Sequence, residues 1–230
     1  MPNDGGFVDL DYQGPSDTLG IFWSGNDTRE ISFYEYSVGT SPGDTNIVSW
    51  TENGSVTQVT ISNFTLTHET IYFANIRAQD MAGNISTIQS SDGIMADLYS
   101  PTVGFVRDGL QEDESFTPSD TSLVANWDGF ADTTSGIVRY EYAVGTSPEG
   151  SDVTGDWVSA GLNTSISASI ELEETITYYF SIRAVDQVNN ISSIVSSDGI
   201  TTDFTGPAGI AAFDGDSIDC LLYTSDAADE

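Results

Sequence analysis

The sequence predicts an all-β fold built from tandem antiparallel β-sandwiches, about seven strands in each, and three observations carry that expectation. Apolar residues recur at every second position along many short runs, the pattern of strands with one face inward and one face to water. The runs are separated by clusters of Gly, Pro, Asn and Asp. Among these are Asn53-Gly54 and six Asp-Gly pairs, beginning at Asp4, Asp92, Asp108, Asp128, Asp198 and Asp214, which supply the positive-φ residues that tight turns need. Finally, a unit of 106 residues repeats along the 230-residue chain, far longer than solenoid periods of about 20–50 residues. Each copy is therefore a domain, large enough to bury its own core without disulfides or metal.

The repeat is legible in several places. YEYSVGTSP at positions 34–42 returns as YEYAVGTSP at 140–148, and Ile76-Arg77-Ala78 with Asp80 returns as Ile182-Arg183-Ala184 with Asp186. The same displacement carries Asn84-Ile85-Ser86, Asp92-Gly93-Ile94 and Pro101 onto Asn190-Ile191-Ser192, Asp198-Gly199-Ile200 and Pro207. It also carries Asp108-Gly109 onto Asp214-Gly215. The chain thus divides into a first repeat at 1–98, a second at 99–205, the opening of a third at 206–219, and a tail at 220–230.

Within the second repeat, four rows are expected to face the core. They are Leu123, Ala125 and Trp127; Val138, Tyr140, Tyr142 and Val144; Ile166, Ala168, Ile170 and Leu172; and Tyr178, Phe180, Ile182 and Ala184. The first repeat is one residue longer between Trp50 and Leu66 than the second is between Trp157 and Leu172. Val59 and Ile61 therefore fall out of phase with Phe64 and Leu66, which predicts a β-bulge near Ser62-Asn63.

These residues resemble fibronectin type III domains, and more closely the tandem fibronectin-like repeats of bacterial secreted and surface proteins. The resemblance covers about residues 6–205 and rests on Trp23 and Trp127, on Tyr34 with Tyr36 and Tyr140 with Tyr142, and on a Leu followed six residues later by Tyr. The last pattern, Leu66 with Tyr72 and Leu172 with Tyr178, implies a tyrosine corner in which the hydroxyl bonds back to the backbone. The chain has no Arg-Gly-Asp sequence, so fibronectin's own cell-binding role is not implied. The last eleven residues, CLLYTSDAADE, resemble a translated sequencing adapter, which implies that Cys220 is foreign and that the protein continues past Asp219.

Charge narrows the partners. There are 36 Asp and Glu against 5 basic residues, all of them Arg, for a formal net charge of −31. Such a surface repels phosphate backbones and anionic headgroups, so neither nucleic acid nor a membrane is an expected partner. It is suited to solution outside the cell, including concentrated salt. No run approaches the 18 or so apolar residues of a membrane span, and no secretory signal is visible.

One Cys and one His remove disulfide frameworks, zinc sites and most nucleophile–base pairs. His68 is read as an exposed loop residue, because the second repeat has Glu174 in its place. No catalytic residue is assigned and no cofactor is expected, with calcium the one ion the oxygen-rich turns would suit. The metal candidates are the acids near the expected junctions, Asp80, Asp97 and Asp108, and their repeats Asp186, Asp203 and Asp214. Asn-x-Ser/Thr sequons occur at Asn26, Asn53, Asn63, Asn84, Asn163 and Asn190; the recurrence of Asn84 and Asn190 at one turn is attributed to left-handed backbone there. Trp50 and Trp157 are read as packing residues.

The function expected is a non-catalytic extracellular spacer or adhesion region of a larger bacterial surface or secreted protein. An accessory region of a secreted polysaccharide-degrading enzyme and a calcium-stiffened adhesin are the alternatives. Its expected partners are neighbouring repeats of the same chain and an unidentified surface protein or glycan.

Overall fold

The computed structural model describes residues 9–25 and 30–209. Every regular element in it is a strand. In chain order these are β1 (Tyr12–Gln13), β2 (Thr18–Phe22), β3 (Ile31–Gly39), β4 (Val48–Glu52), β5 (Gln58–Ser62), β6 (Ile71–Asp80), β7 (Gln89–Ser90) and β8 (Ile94–Ala96). Then come β9 (Phe105–Asp108), β10 (Phe116–Thr117), β11 (Ser122–Asp128), β12 (Ile137–Gly145), β13 (Val158–Gly161), β14 (Ser165–Ser169), β15 (Thr177–Asp186), β16 (Val195–Ser196) and β17 (Ile200–Thr202).

The strands make two like-built sandwiches. In the first, the sheet β1-β8-β6-β3-β4, with β7 on β6, faces the pair β2-β5. In the second, β10-β17-β15-β12-β13, with β16 on β15, faces β14-β11-β9. Pairing is antiparallel throughout except for β1 with β8 and β10 with β17, which run parallel. The leading strand of the second sandwich is split: β9 pairs with β11 in one sheet, and after a loop the chain crosses to the other sheet as β10. The whole is all-β, two antiparallel-type β-sandwiches in tandem.

Alternation builds the two cores. Trp23, Leu19, Ile21, Tyr72 and Ile94 fill one, and Trp127, Leu123, Tyr178, Phe180 and Ile200 fill the other. The two tryptophans have matching surroundings. Trp23 meets Tyr34 edge-on at 5.8 Å and 67°, and Trp127 meets Tyr140 at 5.8 Å and 66°. Both tyrosine corners form, with the hydroxyl as acceptor: Thr67 N–H donates to Tyr72 Oη at 2.8 Å and Glu173 N–H to Tyr178 Oη at 3.0 Å. Every described Asp-Gly glycine has positive φ, from +78° at Gly129 to +104° at Gly199.

Of three local expectations, one holds and two are corrected. Val138 does not face the core. The register between β12 and β15 slips between Ile137 and Arg139, so one residue is extruded and Val138 is left 41% exposed. The first repeat slips at the same place, between Ile31 and Phe33. A one-residue bulge turns the alternation over without changing its appearance in the sequence.

The extra residue is absorbed as a one-residue bulge at Asn63, where the phase of the apolar residues predicts it. β5 pairs regularly through Thr18 and Ser62; Asn63 then takes φ 57°, and Phe64 N–H reaches Asp17 O at 2.7 Å. Phe64 and Leu66 are buried as a result.

The left-handed residues of the repeated turn are Gly83 and Asn189, one place before Asn84 and Asn190. Asn84 and Asn190 are held instead by an aspartate. Each donates its backbone N–H to the Oδ1, and its side-chain amide to the Oδ2, of Asp80 or Asp186.

Candidate functional site

The acids singled out in the sequence go to different places. Asp80 and Asp186 end β6 and β15 and organise identical turns, accepting backbone N–H bonds from Ala82 and Asn84, or from Val188 and Asn190. Their surroundings differ. Bonds from the Asn84 side chain and backbone hold the Asp80 carboxyl below the usual range. Asp186 is fully buried, and that burial raises its carboxyl above the usual range, with the Asp97 charge pushing the same way against bonds from Asn190 and Val188.

Asp97 follows β8 and is also fully buried. Its Oδ1 accepts from Tyr99 N–H at 3.3 Å, and its Oδ2 accepts from Ser135 N–H in the second sandwich at 3.2 Å. Asp132 sits opposite, its Oδ1 accepting three backbone N–H bonds from Thr134, Ser135 and Gly136. Carboxylate oxygens of Asp97, Asp132 and Asp186 come within 4.8 Å of one another. Asn190 closes the junction, its side-chain amide donating to Asp97 O at 3.3 Å and Tyr99 O at 3.1 Å. The structure thus brings Asp97 and Asp186 together, and adds Asp132. That residue lies in an Asp-Thr-Thr-Ser-Gly stretch that reads only as a turn.

His68 is not the exposed loop residue expected. Its side chain is 20% accessible, its Nδ1 accepts Leu98 N–H at 3.1 Å, and its ring packs against Tyr99 with centroids 4.1 Å apart and planes tilted by 43°. Glu174 does the same for the next linker, accepting from Phe204 and Thr205 N–H at 3.3 and 3.2 Å. Both loops place the following residue, Glu69 or Thr175, in the left-handed region and tie its N–H to the last sheet strand's end, at Ala96 O and Thr202 O. What the two copies share is an acceptor that holds the outgoing chain, and two unlike residues supply it.

Asp108 is the third buried acid. It ends β9 with no accessible surface. Its Oδ2 accepts Gly199 N–H at 3.1 Å and the Ser197 hydroxyl assists, while Oδ1 has no hydrogen-bond partner. Oxygens of Asp113 and Asp198, both exposed, lie with it inside a 4.8 Å group. Burial pushes the Asp108 carboxyl up to about 7; the Ser197 and Gly199 bonds oppose this and the Asp113 and Asp198 charges reinforce it. Asp203 is exposed, with its N–H on Thr117 O, and Asp214 lies outside the described residues, as do positions 210–230 and Asn26.

Trp50 and Trp157 join neither core cluster. Each lies on the outer sheet face under an arginine, Arg77 at 4.3 Å and Arg183 at 4.2 Å from the ring centroid. Those arginines pair with Glu35 and Glu141 at 2.6 and 2.7 Å. At Glu141 burial opposes ionisation, but hydrogen bonds and charge from Arg139 and Arg183 hold the carboxyl below the usual range.

No family model matches the chain. Exoglucanase B of Cellulomonas fimi is 26% identical over 159 residues, which is 66% of this chain and 13% of that protein. The chain therefore spans only a small part of the length of the curated relative it matches. Among solved structures, the crystal structure of chicken CNTN1 FN1-FN3 domains covers 87% of this chain and 64% of its own at 14% identity, with a TM-score of 0.43.

Proposed function

We propose that the chain is a non-catalytic, fibronectin type III-like region of a larger secreted polysaccharide-degrading enzyme of bacterial type, in which repeats 1–98 and 99–205 hold neighbouring modules apart. The observation that carries this reading is the match to Exoglucanase B. At 159 residues it is longer than one repeat, and it occupies only 13% of that protein, so most of such an enzyme lies outside the matching region.

Two features of the structure support a spacer. Each sandwich is filled by its own aromatic and aliphatic side chains. The copies are also joined by direct hydrogen bonds from Ser135 and Asn190 to Asp97 and Tyr99, which restrict the linker far more than a free chain of that length would be restricted.

The test uses the chain by itself. Small-angle scattering should give an elongated particle whose maximum dimension does not vary with temperature below unfolding. Incubation with soluble and microcrystalline β-glucans should release no reducing sugar and retain no more protein than an inert control. Sugar release would overturn the non-catalytic reading, retention would replace the spacer with a binding module, and a compact or fluctuating particle would remove the spacer geometry.

A further inference from the structure

The Asp108 carboxylate poses a local problem that the other described residues do not solve. It is fully buried, one of its oxygens has no donor, and two further carboxylates lie beside it. A buried acceptor without a partner is costly, and adjacent like charges add to that cost. The described arginines are all engaged elsewhere. Arg77 is on Glu35, Arg139 and Arg183 are on Glu141, and Arg107, although next in sequence, turns to Asn126 and Asp128 at 3.2 and 3.1 Å. No cationic side chain among the described residues faces the group.

We propose that Asp108, Asp113 and Asp198 bind a divalent cation of the calcium class, and that the chain carries the same three acids in each complete repeat. Hard oxygen ligands are what calcium takes, at about 2.3–2.6 Å from the ion. Oxygens that all lie within 4.8 Å of one another are at most about 2.8 Å from a common point, so small side-chain shifts of a few tenths of an ångström bring them to a shared ion. The exposed positions of Asp113 and Asp198 leave one side of the ion to water, which completes its shell.

Asp113 is also placed by the backbone: its Oδ1 accepts Asp108 N–H at 2.9 Å, while Glu114 N–H returns to Asp108 O at 2.8 Å. The loop after β9 is thereby folded back over the buried acid. The junction acids Asp97, Asp132 and Asp186 differ from this group because none of them has a buried carboxylate oxygen without a hydrogen-bond partner.

The sequence writes the trio again. Asp108 and Asp113 precede Leu123 by fifteen and ten positions, and Asp4 and Asp9 precede Leu19 by the same intervals. Leu19 and Leu123 occupy matching core positions on β2 and β11. Asp198 stands two before Ile200, and Asp92 two before Ile94. Asp214 and Asp219 keep the five-residue spacing in the third copy. Turn chemistry accounts for Asp before Gly, but it does not call for the acid five residues later.

The experiment is calorimetric titration of the EDTA-stripped full chain with calcium chloride, with thermal unfolding in calcium, magnesium and EDTA alongside. Calcium should bind and raise the melting temperature by several degrees, more than magnesium at equal concentration. Asp113→Asn and Asp198→Asn alter exposed side chains and leave folding intact. Each should lower the affinity at this site at least tenfold and reduce the stoichiometry seen at micromolar calcium by one, as should Asp108→Asn. Unchanged stoichiometry and affinity in Asp113→Asn and Asp198→Asn would overturn the site, as would absence of both heat and stabilisation at millimolar calcium. Asp9→Asn should remove a further equivalent; an unchanged count there would overturn the recurrence in the first repeat.

Discussion

Replacing Asn190 by alanine, with Asn84→Ala as its internal control, measures what the contact between the sandwiches contributes. Both side chains brace the same turn by donating to an aspartate Oδ2, at 2.7 Å in the first repeat and 2.8 Å in the second. Only Asn190 continues across to Asp97 O and Tyr99 O. The local bond is common to the two substitutions and cancels in the comparison. A net hydrogen bond contributes about 0.5–1.5 kcal/mol. However, one amide has two protons for three acceptors here, so the bonds at 3.3 and 3.1 Å share donors and belong at the weaker end.

The expected excess for Asn190→Ala over Asn84→Ala is therefore about 1–1.5 kcal/mol. Urea unfolding of the full chain, followed by tryptophan fluorescence and fitted as two domains, gives both values. Limited proteolysis near Tyr99 should accelerate only in Asn190→Ala. Equal costs for the two substitutions, with no gain in cleavage, would refute the claim that this amide couples the repeats.

Three more outcomes are expected. Tyr72→Phe and Tyr178→Phe should each cost about 1–2 kcal/mol in urea unfolding, because the N–H groups of Thr67 and Glu173 lose their acceptors; losses under about 0.3 kcal/mol would show that water replaces the hydroxyl. Gly93→Ala should cost about 1–3 kcal/mol, since φ is +99° and a Cβ would lie 2.7 Å from Ile71 Cγ2 and 2.8 Å from the Phe73 ring. Glu141→Gln should cost less than about 1 kcal/mol at neutral pH. The Glu141 carboxyl is depressed in the folded state, so its contribution is present above the ordinary carboxylate range and lost as acid protonates the folded protein. Stability curves of wild type and Glu141→Gln should thus converge on acidification; a gap that widens would contradict the assignment.

Much of the architecture was legible because it is written in period two and written twice. Trp23 and Trp127, like the two tyrosine corners, follow from spacing that both copies share. What escaped was whatever breaks a period or changes residue type. The bulge at Val138 inserts one apolar residue into an apolar run, so the run looks unbroken while its far end faces the other way. His68 and Glu174 were read as unrelated because their side chains differ, although both serve as acceptors for backbone N–H groups of the linker. The link between Asp9 and Asp113 is hidden by a change of displacement. The copies are offset by 104 positions through Leu19 and Leu123 but by 106 through Asp92 and Asp198. At the junction, the position of Asp97 and Asp186 near the linker is visible in the sequence, whereas Asp132 joins them only through the tertiary fold.

The parallel pairing of β1 with β8 and β10 with β17 governs how a pull on the chain is borne. Near neighbours pointing the same way mean that the polypeptide comes in at one pole of a sandwich and goes out at the other. Tension on the two ends then drags these strands past each other lengthwise, so their ladder bonds strain together instead of opening one after another like a zip. A tether built this way would present its stiffest axis to the drag of flowing water or of a moving substrate.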